Sequence, residues 1–246
     1  MNSLHTSVGR RLNFRNEVKR IRENPLSSFL NLAFTKNDFS SEGLRFNESY
    51  YLYFRAMERA LMQISTAVRY RKGPYYVYRY GGKFSPGQKK LADKARSLRP
   101  FMELDILTAV LFARILLDMT VGLARKFLSG PRLPSFTSFH NHKKFFLKSP
   151  NALPEHIEYS KYMCNNTGWF DSPLKYIRDK FVVHSGSRHS KVFTIGWEKD
   201  DDMLLNVFYN ESDKIQYKRL SIWQLSYDIQ SYLEWFATYG TKELQK

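Results

Sequence analysis

Cysteine is nearly missing from this chain: Cys164 stands alone among 246 residues. That count excludes an internal disulfide and a thiolate zinc cluster, and a reducing cytoplasm is the natural setting. Acidic side chains are also scarce, 23 against 39 lysines and arginines, which leaves a formal net charge of +16. A surface of that sign concentrates polyanions, so RNA, DNA or acidic lipid head groups are the candidate partners. Long apolar runs are lacking too. The N-terminal "MNSLHTSVGRRLNFR" has no apolar stretch of the secretory kind, and the most apolar segment, "ILTAVLFARILLDMTVGL" (106–123), is broken by Arg114 and Asp118. It reads as a buried helix, and no membrane association is expected. Glycine-rich phosphate loops, Gly-x-Ser-x-Gly elbows and His-Glu-x-x-His pairs do not occur, so no cofactor and no metal site are expected.

What is present is a chain with 43% hydrophobic residues and an uneven charge: residues 1–100 hold 20 basic and 7 acidic side chains. Residues 1–48 carry the cluster "GRRLNFRNEVKRIRE" and then a Ser/Asn-rich stretch of weak periodicity, which reads as a basic N-terminal extension. From Glu48 to about Lys72, apolar residues at Tyr50, Tyr53 or Phe54, Met57, Leu61, Ile64 and Val68 predict an amphipathic helix that stops at Gly73-Pro74. The tract "PYYVYRYGGKFSPG" then reads as a short hairpin, followed by a basic helix over 88–98 and a long helix over 101–128. Ser135 is the expected cap of the next helix, and Pro154 opens another. Asp171-Ser172-Pro173 is the expected cap of "LKYIRDKFVVH", closed by Ser185-Gly186. Residues 191–246 read as two or three antiparallel strands and a last helix, capped by Ser221 and ended by Gly240.

Several stretches invite a functional reading. "HNH" at 140–142 is adjacent on a helix, where side chains at i and i+2 point about 200° apart, so the three letters do not make a metal site. Asp200, Asp201 and Asp202 read as a solvated turn. In "RYRKGPYYVYRYGGKF" (69–84), Arg69, Arg71, Lys72 and Arg79 alternate with tyrosines. Phosphate-seeking cations beside flat rings suit RNA, and tyrosines packing a hairpin onto helices give the same letters. In "YIRDKFVVHSG" (176–186), arginine and histidine near a helix C-terminus are favourable with the helix dipole and need no function. Six residues apart, Arg178 and His184 differ by about 120° around an ideal helix, so they converge only if the last turn is loosened.

Arg178-Asp179-Lys180-Phe181-Val182-Val183-His184 resembles the R-x(4 to 6)-H signature of the HEPN superfamily, in which a polar residue commonly follows the arginine. The context is similar as well: the motif ends the last helix of a predicted bundle, after a long helix containing "FARILLD" (112–118). The resemblance covers roughly 49–190. It implies a bundle of about four helices, pairing as a homodimer, and a metal-independent ribonuclease of the kind found in toxin–antitoxin pairs and antiviral defence. It implies further that Arg178 and His184 are the catalytic pair, with Asp179 orienting them. Some such toxins are silenced by nucleotide transfer to a tyrosine two residues past the histidine; Gly186 stands there in this chain.

Cutting RNA without metal needs a base for the 2′-OH proton, an acid for the leaving 5′-oxygen and a cation for the charged phosphorane. One chain supplies one motif histidine, whereas a two-fold dimer brings two copies of Arg178 and His184 to one axis. The expectation is therefore a mainly α protein: an N-terminal extension (1–48), a HEPN-like helical bundle (49–190), and a small antiparallel β-hairpin or meander with a C-terminal helix (191–246). Its expected activity is that of a cytoplasmic endoribonuclease, with RNA, a second copy and an antitoxin or regulatory protein as partners. The rival expectation is a non-catalytic RNA-binding or protein-interaction module of the same fold.

Overall fold

A computed structural model describes residue 16 and residues 18–34, 41–79, 81–128, 133–175, 178, 193–195, 204–211 and 214–246. The described chain is mainly helical. Its helices are α1 (Ser27–Ala33), α2 (Ser41–Arg79), α3 (Pro86–Ser97), α4 (Arg99–Ala124), α5 (Phe139–Lys148), α6 (Ile157–Asn165) and α7 (Ile222–Leu244). A 3₁₀ turn, Pro154–His156, leads into α6, and a π-helical turn, Phe170–Lys175, follows it.

The antiparallel pair α2 and α4 forms the frame. On α2, Tyr50, Tyr53, Met57, Leu61 and Ile64 recur every three or four residues and are all buried, as an amphipathic stripe requires. Ala56, Ala60 and Ala67 lie in the same core with Ala109 and Ala113 of α4, and such small residues let two helix backbones approach closely. Direction is fixed by polar contacts: Arg59 pairs with Asp105, and Gln63 Nε2 donates to Asp105 Oδ2 at 3.0 Å. Helix α7 closes the core with Ile222, Leu225, Ile229, Tyr232, Leu233 and Phe236. Phe29, Phe127 and Phe236 meet there edge to face, their ring centres 5.5–5.9 Å apart.

Several expectations need correction. Gly73-Pro74 does not stop α2, which runs on to Arg79 with Pro74 buried inside it. An interior proline costs about 3 kcal/mol through its missing N–H and its clash with the preceding turn. Burial of Pro74 works against that cost. The reversal falls instead at Gly81, whose φ of 69° suits glycine. Gly240 does not end α7, which continues to Leu244; its missing side chain makes room, since a Cβ there would meet Phe29 Cε2 at 2.5 Å.

Ser138, not Ser135, caps α5, accepting from the Asn141 N–H at 3.3 Å, while Ser135 Oγ accepts from Arg125. Lastly, residues 18–34 do not stand apart as an extension: Ile21, Leu26, Phe29 and Leu30 are buried in the common core. Arg20 holds this segment to α7 through Glu234 and Ser231. Four apolar side chains spread over ten residues were too few to register as a periodic stripe.

Among the described residues, one helical stretch, within Pro86–Ala124, is long and apolar enough by length and composition to cross a membrane, with a mean hydropathy of 1.9 over its most apolar window. Just over half of that window is buried, and the window's helix carries the ion pair described next.

Candidate functional site

Arg114 and Asp118 stand one turn apart on α4, so their side chains share a face. Arg114 Nη1 lies 3.0 Å from Asp118 Oδ1, with only 7% of the arginine side chain exposed. A guanidinium that deep needs partners, because leaving water costs several kcal/mol. Besides Asp118 it has the ring of Phe170, whose centre lies 4.7 Å from the guanidinium carbon.

Asp118 has a second duty. Its Oδ1 accepts the Phe139 N–H at 2.7 Å, which satisfies one of the orphan donors in the first turn of α5. Burial raises the Asp118 pKa above the usual carboxylate range, opposed by the Phe139 N–H, then Arg114, then Arg178. Arg178 is half-buried and helical. The first residue of the R-x(5)-H pattern therefore sits in the field of a carboxylate from the "FARILLD" segment.

The turn that leads to Arg178 is held from below. Lys143 is buried, and its Nζ donates to the Thr167 carbonyl at 2.7 Å and to Asp171 Oδ2 at 2.6 Å. Asp171 does not cap a helix as expected. The helical path already begins at Gly168, and the carboxylate serves the lysine instead.

The histidines at 140 and 142 part company, as their spacing requires. His142 is buried with Nε2 2.9 Å from the Tyr159 hydroxyl, and burial pushes its pKa down to about 3. His140 is half-exposed, its ring 6.4 Å from that of Phe170 and nearly parallel to it. Burial and then the charge of Lys175 lower its pKa, with Lys144 and Arg114 adding to the effect and Asp171 opposing it. The shift favours the neutral imidazole.

Arg114, His140 and Lys143 thus surround Phe170; Asp118, on which Arg178 acts, is paired with Arg114, and Asp171 with Lys143. Chemically the set offers cations for an oxyanion and a neutral imidazole for a proton. Asp179 and His184, the other two expected catalytic residues, lie outside the described residues. Of the expected RNA-binding cations, Arg69 is exposed on α2. Arg71, Lys72 and Arg79 belong to the same helix, where their spacing from Arg69 cannot bring all four to one face; their side chains lie outside the described residues. The expected hairpin there is helix.

Sequence reasoning missed Lys143, Asp171, Asp118 and His140 as one neighbourhood. A faint signal existed: charged residues inside apolar runs must find partners when buried. Which partners they find depends on contacts 21 to 28 residues away. Among the described residues no group of three His, Cys, Asp or Glu side chains is arranged to hold a metal ion. Compared with protein-family models, with curated proteins and with solved structures, the chain matches none.

Proposed function

We propose that this chain is a metal-independent endoribonuclease of the HEPN type, cytoplasmic, working as a homodimer and serving as a defence or toxin component under the control of an antitoxin or regulatory protein. The finer architecture belongs to the same proposal: a HEPN-like bundle over 49–190, with a β-meander and α7 packed behind it. The observation that carries the reading is the neighbourhood of Arg178. A short sequence pattern recurs by chance on helix ends, but here its half-buried arginine acts on a half-buried carboxylate of the long central helix, which is paired with the buried Arg114 beside the Phe170 ring.

On this reading the nucleophile is the substrate's own 2′-OH. His184 takes its proton, the 2′-oxygen bonds to phosphorus, and the bond to the 5′-oxygen breaks as that oxygen is protonated by the partner's His184. Arg178 stabilises the phosphorane charge with its planar fork. Products are a 2′,3′-cyclic phosphate and a 5′-hydroxyl. Imidazole suits both proton roles because it titrates near neutrality, and Asp179 orients the pair.

The test is an RNA digest in excess chelator with the ends identified chemically. Cyclic or 3′-phosphate ends, intact DNA, and loss of cleavage in a folded Arg178→Ala variant are expected. Activity that vanishes in chelator and returns with magnesium overturns the reading.

A further inference from the structure

Helix α3 is physically odd. Twelve residues long, it buries one of them, Ala95, and a helix polar nearly all round gains little from packing. Its own sequence holds it instead. Ser85 and Gln88 form a reciprocal capping box, at 2.9 and 3.3 Å, with Pro86 in the first turn. Such devices keep a helix in place whose outer face the core does not use.

That outer face is cationic. Lys89, Lys90 and Lys94 span an arc of about 140° and line a shallow surface depression with Pro86, Asp93 and Ser97. Asp93 is engaged by Arg96 at 3.2 Å. Among the described residues, no carboxylate lies within ion-pair distance of the three ammonium groups. Across the seam with α2, the Lys94 ammonium lies 5.8 Å from the centre of the Tyr70 ring, and Arg69 is exposed beside it.

The geometry points to this face as a landing surface for single-stranded RNA, with Lys89, Lys90 and Lys94 on phosphates and the Tyr70 ring against a base. Lysine is a point charge that imposes no bidentate geometry, so it holds a backbone without reading sequence. A ring beside it adds stacking that any base satisfies. An acidic membrane fits less well, because a lipid-binding face sets large apolar side chains among its cations. Here Asp93 and Ser97 occupy the middle of the arc, and the exposed Leu91 lies off it. The inference rests on RNA being the substrate and adds a binding surface remote in sequence from the R-x(5)-H motif.

The probe is a short 2′-O-methyl RNA, which binds but lacks the 2′-OH needed for cleavage, followed by fluorescence anisotropy across a salt series. Lys89→Ala/Lys90→Ala/Lys94→Ala should lower the log–log salt slope by about 2, since each single-strand phosphate contact contributes roughly 0.7. Tyr70→Ala should weaken binding several-fold with the slope unchanged, and Tyr70→Phe should restore it. These positions are exposed or half-exposed, so wild-type melting is expected of each variant. A triple variant with wild-type slope and affinity overturns the proposal. So does a triple variant that keeps its RNA affinity but loses binding to phosphatidylcholine vesicles containing phosphatidylserine, which assigns the face to lipid. If wild-type protein binds the probe through these lysines yet cleaves no RNA, the surface stands and the nuclease reading alone falls.

Discussion

The carboxylate of Asp118 and the backbone N–H of Phe139, 2.7 Å apart, tie the central helix to the first turn of α5. That carboxylate is also paired with Arg114 and acted on by Arg178, so its protonation couples the candidate site to stability. Its pKa is raised in the folded chain, burial being the largest cause. A raised acid binds more protons folded than unfolded, so its contribution to stability is present at low pH and is lost as pH rises through the folded value.

Asp118→Asn keeps an acceptor for Phe139 and cannot ionise. The difference in melting temperature between variant and wild type should therefore shift in favour of the variant as pH rises through that interval. A difference that is flat across it contradicts the raised value. Asp118→Ala removes the acceptor and should cost about 0.5–2 kcal/mol, as lost helix caps do.

Lys143→Met keeps the length of the side chain and removes its charge. The Thr167 carbonyl then loses its donor, an omission worth about 1–3 kcal/mol at a buried site. Asp171 is exposed, so its lost partner adds little. Urea denaturation should show that loss for Lys143→Met and a smaller one for Asp171→Asn. Equal losses would mean that the ion pair, rather than the carbonyl bond, holds the turn.

Gly240→Ala sets two effects against each other. Alanine in a helix interior is favoured over glycine by about 1 kcal/mol. Its Cβ, however, would lie 2.5 Å from one Phe29 atom and 2.9 Å from a Phe127 atom, and overpacking of that kind costs about 1–3 kcal/mol. Both rings are buried in the aromatic cluster and have little room to yield. Thermal melting should show net destabilisation; a gain in stability would mean that the cluster relaxes.

A mixed dimer of one wild-type chain and one His184→Ala chain, purified through two different tags, separates a shared site from two independent ones. If both histidines serve one scissile phosphate, losing either removes a proton carrier that contributes about 10² to 10⁴ in rate, and the mixed dimer should be nearly inactive. Half the wild-type rate would refute the shared site. Sedimentation of the wild-type chain should show a dimer at micromolar concentration.

The mainly helical character was legible because it is written in short intervals. Tyr50 through Ile64 announced the buried stripe of α2 by spacing alone, and Ser221 marked the start of α7, where its Oγ accepts the Gln224 N–H at 3.0 Å. Gly73-Pro74 and Gly240 misled for one reason: local preferences of 1 to 3 kcal/mol were outweighed by packing that no window of ten residues contains. The site divides in the same way. Arg178 drew attention through a motif of seven consecutive residues. Its companions Arg114 and Asp118 stood 60 and more positions earlier, and only the packing of α4 against the Phe170 turn brings them near.

The register of α2 against α4 also acts as a ruler. Asp105 marks where Arg59 and Gln63 meet α4; Asp118 lies thirteen residues to one side of that level, and Tyr70 seven to eleven residues to the other. At 1.5 Å per residue, the Arg178 neighbourhood and the lysine face are separated by about 30–35 Å along the frame. A stacked single strand advancing about 3.4 Å per nucleotide needs roughly ten nucleotides to touch both. If both proposals hold, oligonucleotides much shorter than that should occupy one end of the protein or the other and should not be anchored and cut in the same encounter.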